Sequence, residues 1–286
     1  MRHVYHKFVS EHARLLGEGV SARGPRPAPA AGRNPPPKTA PAGLIFAPHP
    51  DDECIIGALP LRLLRELKMR ITDVAVTLGS RKDRRQERWQ ELRHACDFLG
   101  FATLLPAEGG LEKINPEGRR QYPDNWQAAV KHIGDILRQQ QPRAIFFPHA
   151  GDANSTHIGV NALLNDALPD AGKDFCCWVC ETEYWMPLAQ PNLMVESSVA
   201  DVADLVAALA LHAGEVQRNP YHLRLPAWLI DNVRRGGELV GGQGGEAPPF
   251  TFATLYRLRK WAHGHYEDSA GGKLISANDS LENLFG

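Results

Sequence analysis

The stretch Leu44-Ile45-Phe46-Ala47-Pro48-His49-Pro50-Asp51-Asp52-Glu53 constrains this chain more than any other, because a short apolar run stops abruptly at an imidazole and three consecutive carboxylates. Such a run reads as a buried parallel strand, and open α/β sheets bind ligands in the crevice beyond the carboxyl ends of such strands. The acids fall there. His49 and Asp52, three apart across a strand-to-helix turn, are spaced to grip one metal ion, which leaves Asp51 between them free to act as a base. Two ligands seldom hold a catalytic zinc, so a third is expected further along. The plainer reading is a polar turn whose acids favour the next helix N-terminus, and Glu53 is read that way.

Strand and helix patterns alternate after this point. Ile55 to Leu67 has helical spacing, with Pro60 starting or kinking the helix; Ile71 to Leu78 is a strand closing on Gly79-Ser80. Arg81 to Leu99 is a charged helix stopped by Gly100, Ala102 to Leu105 a short strand, and Asp124 caps a helix to about Gln140. Ala144 to Phe147 is the next strand. The order predicts a Rossmann-like, doubly wound α/β fold, a mostly parallel sheet flanked by helices. Phe147-Pro148-His149-Ala150-Gly151-Asp152-Ala153-Asn154-Ser155-Thr156-His157 repeats the opening pattern, a strand entering a loop of ligand-grade residues, with a helix from about Ile158 to Leu168. One of its histidines is the expected third ligand, leaving a fourth position open to water. Phe175 to Glu183 reads as a strand, Val199 to Val216 as a helix, Gly236 to Pro249 as a glycine-rich loop, and Phe250 to Leu258 as a last strand.

The chain is expected to divide into an N-terminal helix and Pro-rich arm (1–41), a catalytic unit (42–265) and a C-terminal tail (266–286). With 43% hydrophobic and 23% charged residues, the chain can bury a full core. A net charge of -1 gives no overall pull toward nucleic acid, no run matches a membrane span, and the N-terminus lacks the apolar stretch of a secretory signal. Five cysteines, an odd number, do not resemble a disulfide framework and suit a reducing, cytoplasmic setting. Cys176-Cys177-x-x-Cys180 is read as buried apolar packing, since no second pair completes a zinc site.

Pro48-His49-Pro50-Asp51-Asp52-Glu53 resembles the His-Pro-Asp-Asp-Glu signature of the PIG-L or LmbE-like zinc-dependent N-acetylglucosaminyl deacetylases. Arg88-Trp89-Gln90-Glu91-Leu92 with Leu99-Gly100, Asp152-x-Asn154-x-Thr156-His157, Tyr184-Trp185-x-Pro187-Leu188, and Gln217 with Asn219-Pro220-Tyr221 are similar to further family segments, so the resemblance covers about residues 42–257. It implies Zn²⁺ on His49, Asp52 and His157, with Asp51 as general base. Where some relatives carry a histidine three residues before the last ligand, this chain has Asn154, which donates a hydrogen bond but cannot shuttle a proton. The acid role then falls to protonated Asp51 or passes to His149. Arg88 and Trp185 are the candidate substrate contacts, the first for a sugar or acidic aglycone, the second for stacking on a sugar ring. The glycine-rich loop reads as a lid or an unstructured insertion.

The expected activity is removal of an acetyl group from an N-acetylated amino sugar conjugate, a small-molecule partner, in a chain that can form homo-oligomers. The alternatives are hydrolysis of another amide on a sugar conjugate and a non-catalytic sugar-binding relic of the fold.

Overall fold

Residues 42–47 alternate no polarity because both faces of their strand are covered, and β1 (Ala42–Ala47) is buried at every position. The computed structural model describes residues 5–21, 36–268 and 272–285. Before β1 stands α1 (Tyr5–Ser21); most of the Pro-rich arm falls on residues outside those described. After β1 come α2 (Asp52–Ile55), α3 (Leu59–Leu67), β2 (Arg70–Ala75), α4 (Arg85–Leu99) and β3 (Ala102–Leu104). Pro60 lies in the first turn of α3, where its missing N–H costs nothing. Then follow α5 (Pro116–Gln121), α6 (Pro123–Gln140), β4 (Ala144–Pro148), α7 (Ser155–Ala167) and β5 (Cys177–Thr182). The remainder is β6 (Leu193–Glu196), α8 (Val199–Leu209), α9 (Ala213–Arg218), α10 (Leu225–Leu239), β7 (Ala253–Ala262), β8 (His265–Asp268) and β9 (Lys273–Ile275).

Among the described residues, nine strands form one sheet in the order β3-β2-β1-β4-β5-β7-β6-β9, with β8 paired to β7. β3, β2, β1, β4 and β5 are mutually parallel, and β7 runs antiparallel to β5 and β6. The doubly wound, mostly parallel expectation therefore holds. Apolar clusters cover both faces: Ile45, Ala47 and Phe146 belong to one, Leu44, Phe46 and Phe147 to the other. β1 and β4 are neighbours, with Ile45 opposite Phe146, so the loops that leave their carboxyl ends meet.

Several local expectations change. Tyr122, not Asp124, is the N-cap of α6, because Pro123 with its fixed φ starts the helix and leaves Asp124 in the first turn. The expected helix 199–216 is two, α8 and α9, broken around His212, which is fully buried. Gly236 and Gly237 belong to α10 and not to a loop. A Cβ on Gly236 would stand 2.4 Å from Met194 Sδ and 2.8 Å from Leu255 Cδ2, so the glycine lets the helix lie close on β6 and β7. Residues 266–268 and 272–285, read as part of a tail, complete β8, add β9 beside β6, and bury Leu281, Leu284 and Phe285 in the core. The cysteines are free; Cys177 and Cys180 are buried on opposite faces of β5, as expected, whereas Cys176, just before the strand, is exposed and not the buried packing expected of it.

Candidate active site

Side chains tie off the carbonyls at the ends of β1 and β4, and this fixes the two loops. Thr77 Oγ1 donates to Pro48 O at 2.7 Å, and Asn161 Nδ2 donates to Pro148 O at 2.9 Å. His149 N donates to Thr182 O across the next strand. His49, Asp51 and Asp52 therefore project from the end of β1, while His157 enters from the first turn of α7, beside the end of β4.

Asp52 is the centre of the constellation. Its Oδ2 lies 3.3 Å from His49 Nδ1 and 3.3 Å from His157 Nε2, and it accepts a hydrogen bond from His49 N at 2.9 Å. One donor atom from each of the three residues lies within 4.8 Å of the others. Metal–ligand bonds of about 2.0–2.1 Å at tetrahedral angles set donor atoms about 3.3 Å apart, which matches both of these edges. His157 is fully buried, yet neither ring nitrogen has a hydrogen-bond partner among the described residues. Buried polar atoms are nearly always paired, so this donor set fits a divalent cation. Asp152 Oδ2 stands 3.7 Å behind His157 Nδ1, the position from which a carboxylate orients a ligating histidine. Burial opposes charge on His157, but Asp52 and Asp152 outweigh it and raise its pKa to about 10. Burial likewise opposes ionisation of Asp52; His157 and His49 overcome it, and its net shift is downward.

Asp51 holds the left-handed side of backbone space, φ 120° and ψ -25°, a strained state for an L-residue. Three contacts hold it. Its N–H donates to Glu53 Oε2 at 2.9 Å, its Oδ2 accepts from Tyr221 Oη at 2.5 Å, and Arg88 Nη2 lies 3.9 Å from that same oxygen. Burial, then the adjacent Asp52 carboxylate, push the Asp51 carboxyl up to about 7 against the pull of His212, Arg88 and Tyr221. Burial and the same Asp51 raise the Tyr221 hydroxyl, so it stays a donor.

His49, Asp51 and Asp52 open onto a cavity of about 430 Å³ whose wall also includes Arg84, Arg85, Arg88, Asn154 and Trp185. Arg88 donates to Pro50 O at 3.0 Å and leans on Glu215 at 3.7 Å. Gly79 makes room for it: a Cβ there would sit 2.2 Å from Arg88 Nη1, and φ is +85°. Trp185 is 45% exposed at the mouth, with Tyr221 and Trp228 rings 6.1 and 6.2 Å away. Asn154 reaches the cavity wall, but its Oδ1 caps α7 by accepting from Thr156 N at 2.8 Å, so its free polar group is the Nδ2 donor. His149 does not join the others. Its Nδ1 accepts from Gly151 N and its Nε2 donates to Met186 O at 2.9 Å, and it is absent from the cavity wall. Both nitrogens are spent on shaping the loop, which takes away the acid role expected of it. Residues 236–249 do not line the cavity either.

Sequence reading missed Tyr221, Asp152, His212 and the work done by Glu53. A tyrosine after Asn219-Pro220 carries no chemical signature by itself, and His212 sits in a run of Ala, Leu and Gly that reads as uninterrupted helix. Asp152 was inside a recognised motif, two residues before Asn154 and five before the candidate ligand His157, and a carboxylate that close to such a histidine was the available signal.

Residues 44–168 match the model of the family described as PIG-L: GlcNAc-PI de-N-acetylase. They form a PIG-L domain. The match spans β1 to the end of α7 and so includes both loops of the constellation. No curated protein sequence matches the chain. Among solved structures, the chain built around this PIG-L domain is similar in fold to the conserved protein TT1542 from Thermus thermophilus, at 20% identity and TM-score 0.55, over 75% of this chain and 92% of that one. It is also similar to N,N'-diacetylchitobiose deacetylase from Pyrococcus horikoshii (14% identity, TM-score 0.54, 90% and 93% coverage). GalB, the 4-carboxy-2-hydroxymuconate hydratase from Pseudomonas putida, shares the fold at 15% identity and TM-score 0.56, over 76% and 95% of the two chains. A deacetylase and a hydratase on one fold mean that the reaction must be argued from the side chains. Among the described residues, no helix is long and apolar enough to cross a membrane.

Proposed function

We propose that this chain is a metal-dependent N-deacetylase that removes an acetyl group from an N-acetylated amino sugar conjugate. The observation that carries the reading is the buried His157, without a hydrogen-bond partner among the described residues, facing Asp52 and His49, which line the cavity together with an independently held carboxylate, Asp51. The PIG-L match over the same residues supports it.

His49, Asp52 and His157 would hold Zn²⁺, and Asp152 would orient His157. When bound, the ion supplies a positive charge that polarises an amide carbonyl and acidifies water. Asp51, which lines the cavity, accepts the proton of the attacking water, while Tyr221 and Arg88 engage only its Oδ2. Because His149 is committed to the loop, the same carboxyl returns that proton to the departing amine. The Asn154 amide donates to the oxygen that gains charge as the carbonyl is attacked. Trp185 offers an aromatic face to a sugar ring at the mouth, and Arg88 fixes a polar group of the substrate. The acetamide of N-acetylglucosamine is the amide that the PIG-L description favours.

The test is acetate release from N-acetylglucosamine conjugates with neutral, anionic and lipidic aglycones, by Zn²⁺-loaded protein and by protein treated with a chelator. Release from at least one conjugate, lost on chelation and strongly reduced in Asp51→Asn, is expected. Binding of these conjugates without any turnover would instead establish a sugar-binding relic, and release of a different acyl group from a sugar amide would move the substrate but keep the mechanism.

A further inference from the structure

A second group of metal-grade side chains lies next to the constellation without lining the cavity. Glu53 Oε1 accepts a hydrogen bond from Cys54 Sγ at 3.1 Å and lies 2.7 Å from His212 Nε2. One donor atom from each of Glu53, Cys54 and His212 lies within 4.8 Å of the others, and all three residues are fully buried. The proposed reaction uses none of them as a reacting group. Glu53 is held in place from the other side by Asp51 N, so what binds Glu53 also bears on Asp51.

Asp73 supplies an independent sign. It lies on β2, fully buried, and neither of its carboxylate oxygens has a hydrogen-bond partner among the described residues. Alternation along β2 puts it on the face of Ile71 and Ala75, which pack in the same core cluster as Cys54 and Cys96. Burial, then the Glu53 and Asp52 carboxylates, push its carboxyl well upward. His212 Nδ1 also lacks a partner among those residues. Glu53 is thus the carboxylate in contact with His212, and Asp73 is a second buried carboxyl, unpartnered among the described residues and within electrostatic reach of Glu53. Cys96, Asp52 and Asp51 are further ionisable neighbours, and none of them adds positive charge.

We infer that Glu53, Cys54 and His212 form a second cation site, for a borderline divalent ion of the zinc class, distinct from that of His49, Asp52 and His157; the Glu53 carboxylate and the Cys54 thiolate balance its charge. One carboxylate, one thiolate and one imidazole are a zinc-class donor set. The present 2.7 and 3.1 Å contacts are proton bridges, and ligation opens them to about 3.3–3.6 Å, the donor spacing of a tetrahedral site. On entry of the ion the Cys54 thiol loses its proton to solvent, and the His212 proton moves from Nε2 to the unpartnered Nδ1. A filled site ties the start of α2 to the start of α9 and so fixes the Glu53 carboxylate on which Asp51 rests.

Cobalt separates the two sites, because the His49, Asp52 and His157 set contains no sulfur. The protein is produced with Co²⁺ as the supplied divalent metal, dialysed, and assayed for cobalt content and for sulfur-to-cobalt charge transfer in the near ultraviolet. About two cobalt ions per chain and a charge-transfer band are expected. Cys54→Ser should lose the band and one ion, whereas His157→Ala should lose one ion and keep the band, so failure of either site is read separately. A single cobalt per chain with no band overturns the inference, as does a band that survives Cys54→Ser.

Discussion

Replacing Tyr221 by Phe removes one oxygen atom from the site and leaves the ring beside Trp185 in place. That oxygen donates to Asp51 Oδ2 at 2.5 Å, a hydrogen bond to a charged acceptor, worth about 1.5–3 kcal/mol. Two effects compete. Without the donor Asp51 becomes a stronger base, which favours proton abstraction. Against this, Asp51 sits on a strained backbone at φ 120°, and the Glu53, Tyr221 and Arg88 contacts hold its position. A displacement of about 1 Å costs on the order of 100-fold in rate, more than a moderate gain in basicity returns. We expect kcat/KM for acetate release to fall about 10- to 100-fold, at 1.36 kcal/mol per tenfold. Stability should fall by about 1–2 kcal/mol, at about 2–4 °C in Tm for each kcal/mol. Steady-state kinetics and thermal unfolding are run on Tyr221→Phe, Asp51→Asn and the double variant. If Tyr221 acts through Asp51, the double variant is no slower than Asp51→Asn alone. Multiplying losses in the double variant, or wild-type kcat/KM in Tyr221→Phe with its Tm lowered, would refute the positioning role.

Three further outcomes are expected. Gly79→Ala places a methyl 2.2 Å from Arg88 Nη1 at a position of φ +85°; the mobile guanidinium swings aside, so Tm drops by only about 2–6 °C while KM rises, and an unchanged KM would show that Arg88 does not contact substrate. The Glu215 carboxyl, which burial pushes up but Arg88, Arg218 and Arg84 pull down further, has a folded pKa below its unfolded value near 4.5. Its stabilisation is therefore complete above that value and lost as pH falls through the folded pKa, and Glu215→Gln should flatten the urea-unfolding free energy across that acid range; an unaltered pH slope would count against the assignment. Chelation should abolish acetate release and Zn²⁺ should restore it in wild type but not in His157→Ala, with circular dichroism reporting an intact fold; restoration in the variant would remove His157 from the ligand set.

The legibility of this site depended on how local each part of it is. His49, Asp51 and Asp52 are neighbours in sequence, and the strand before them shows in its apolar run, so their juxtaposition follows from one turn. His157 was legible because it follows a second strand of the same kind, and parallel strands that leave one edge of a sheet bring their loops together. His149 misled for a local reason: a histidine one residue past a strand end faces either the crevice or its own loop, and backbone groups of Gly151 and Met186 decided it. The second half of the chain was harder. A helix-breaking histidine in an apolar run, glycines inside α10, and an edge strand of three residues in β9 all depend on what packs against them, and periodicity carries none of that.

The opening stretch determined by itself that a buried strand ends in a cation-grade turn, and alternation along the chain determined a mostly parallel sheet, because burial on both faces leaves a strand no polar positions. Two of the three metal-ligand candidates, His49 and Asp52, and the adjacent candidate base, Asp51, were written there. Only the tertiary structure decided what holds Asp51: Tyr221 is 170 residues away in the chain, and Glu53 is fixed in turn by His212, 159 residues away. Contacts at that separation arise from the path of the chain over the sheet, where burial of apolar faces sets the geometry and the polar groups take the partners it delivers.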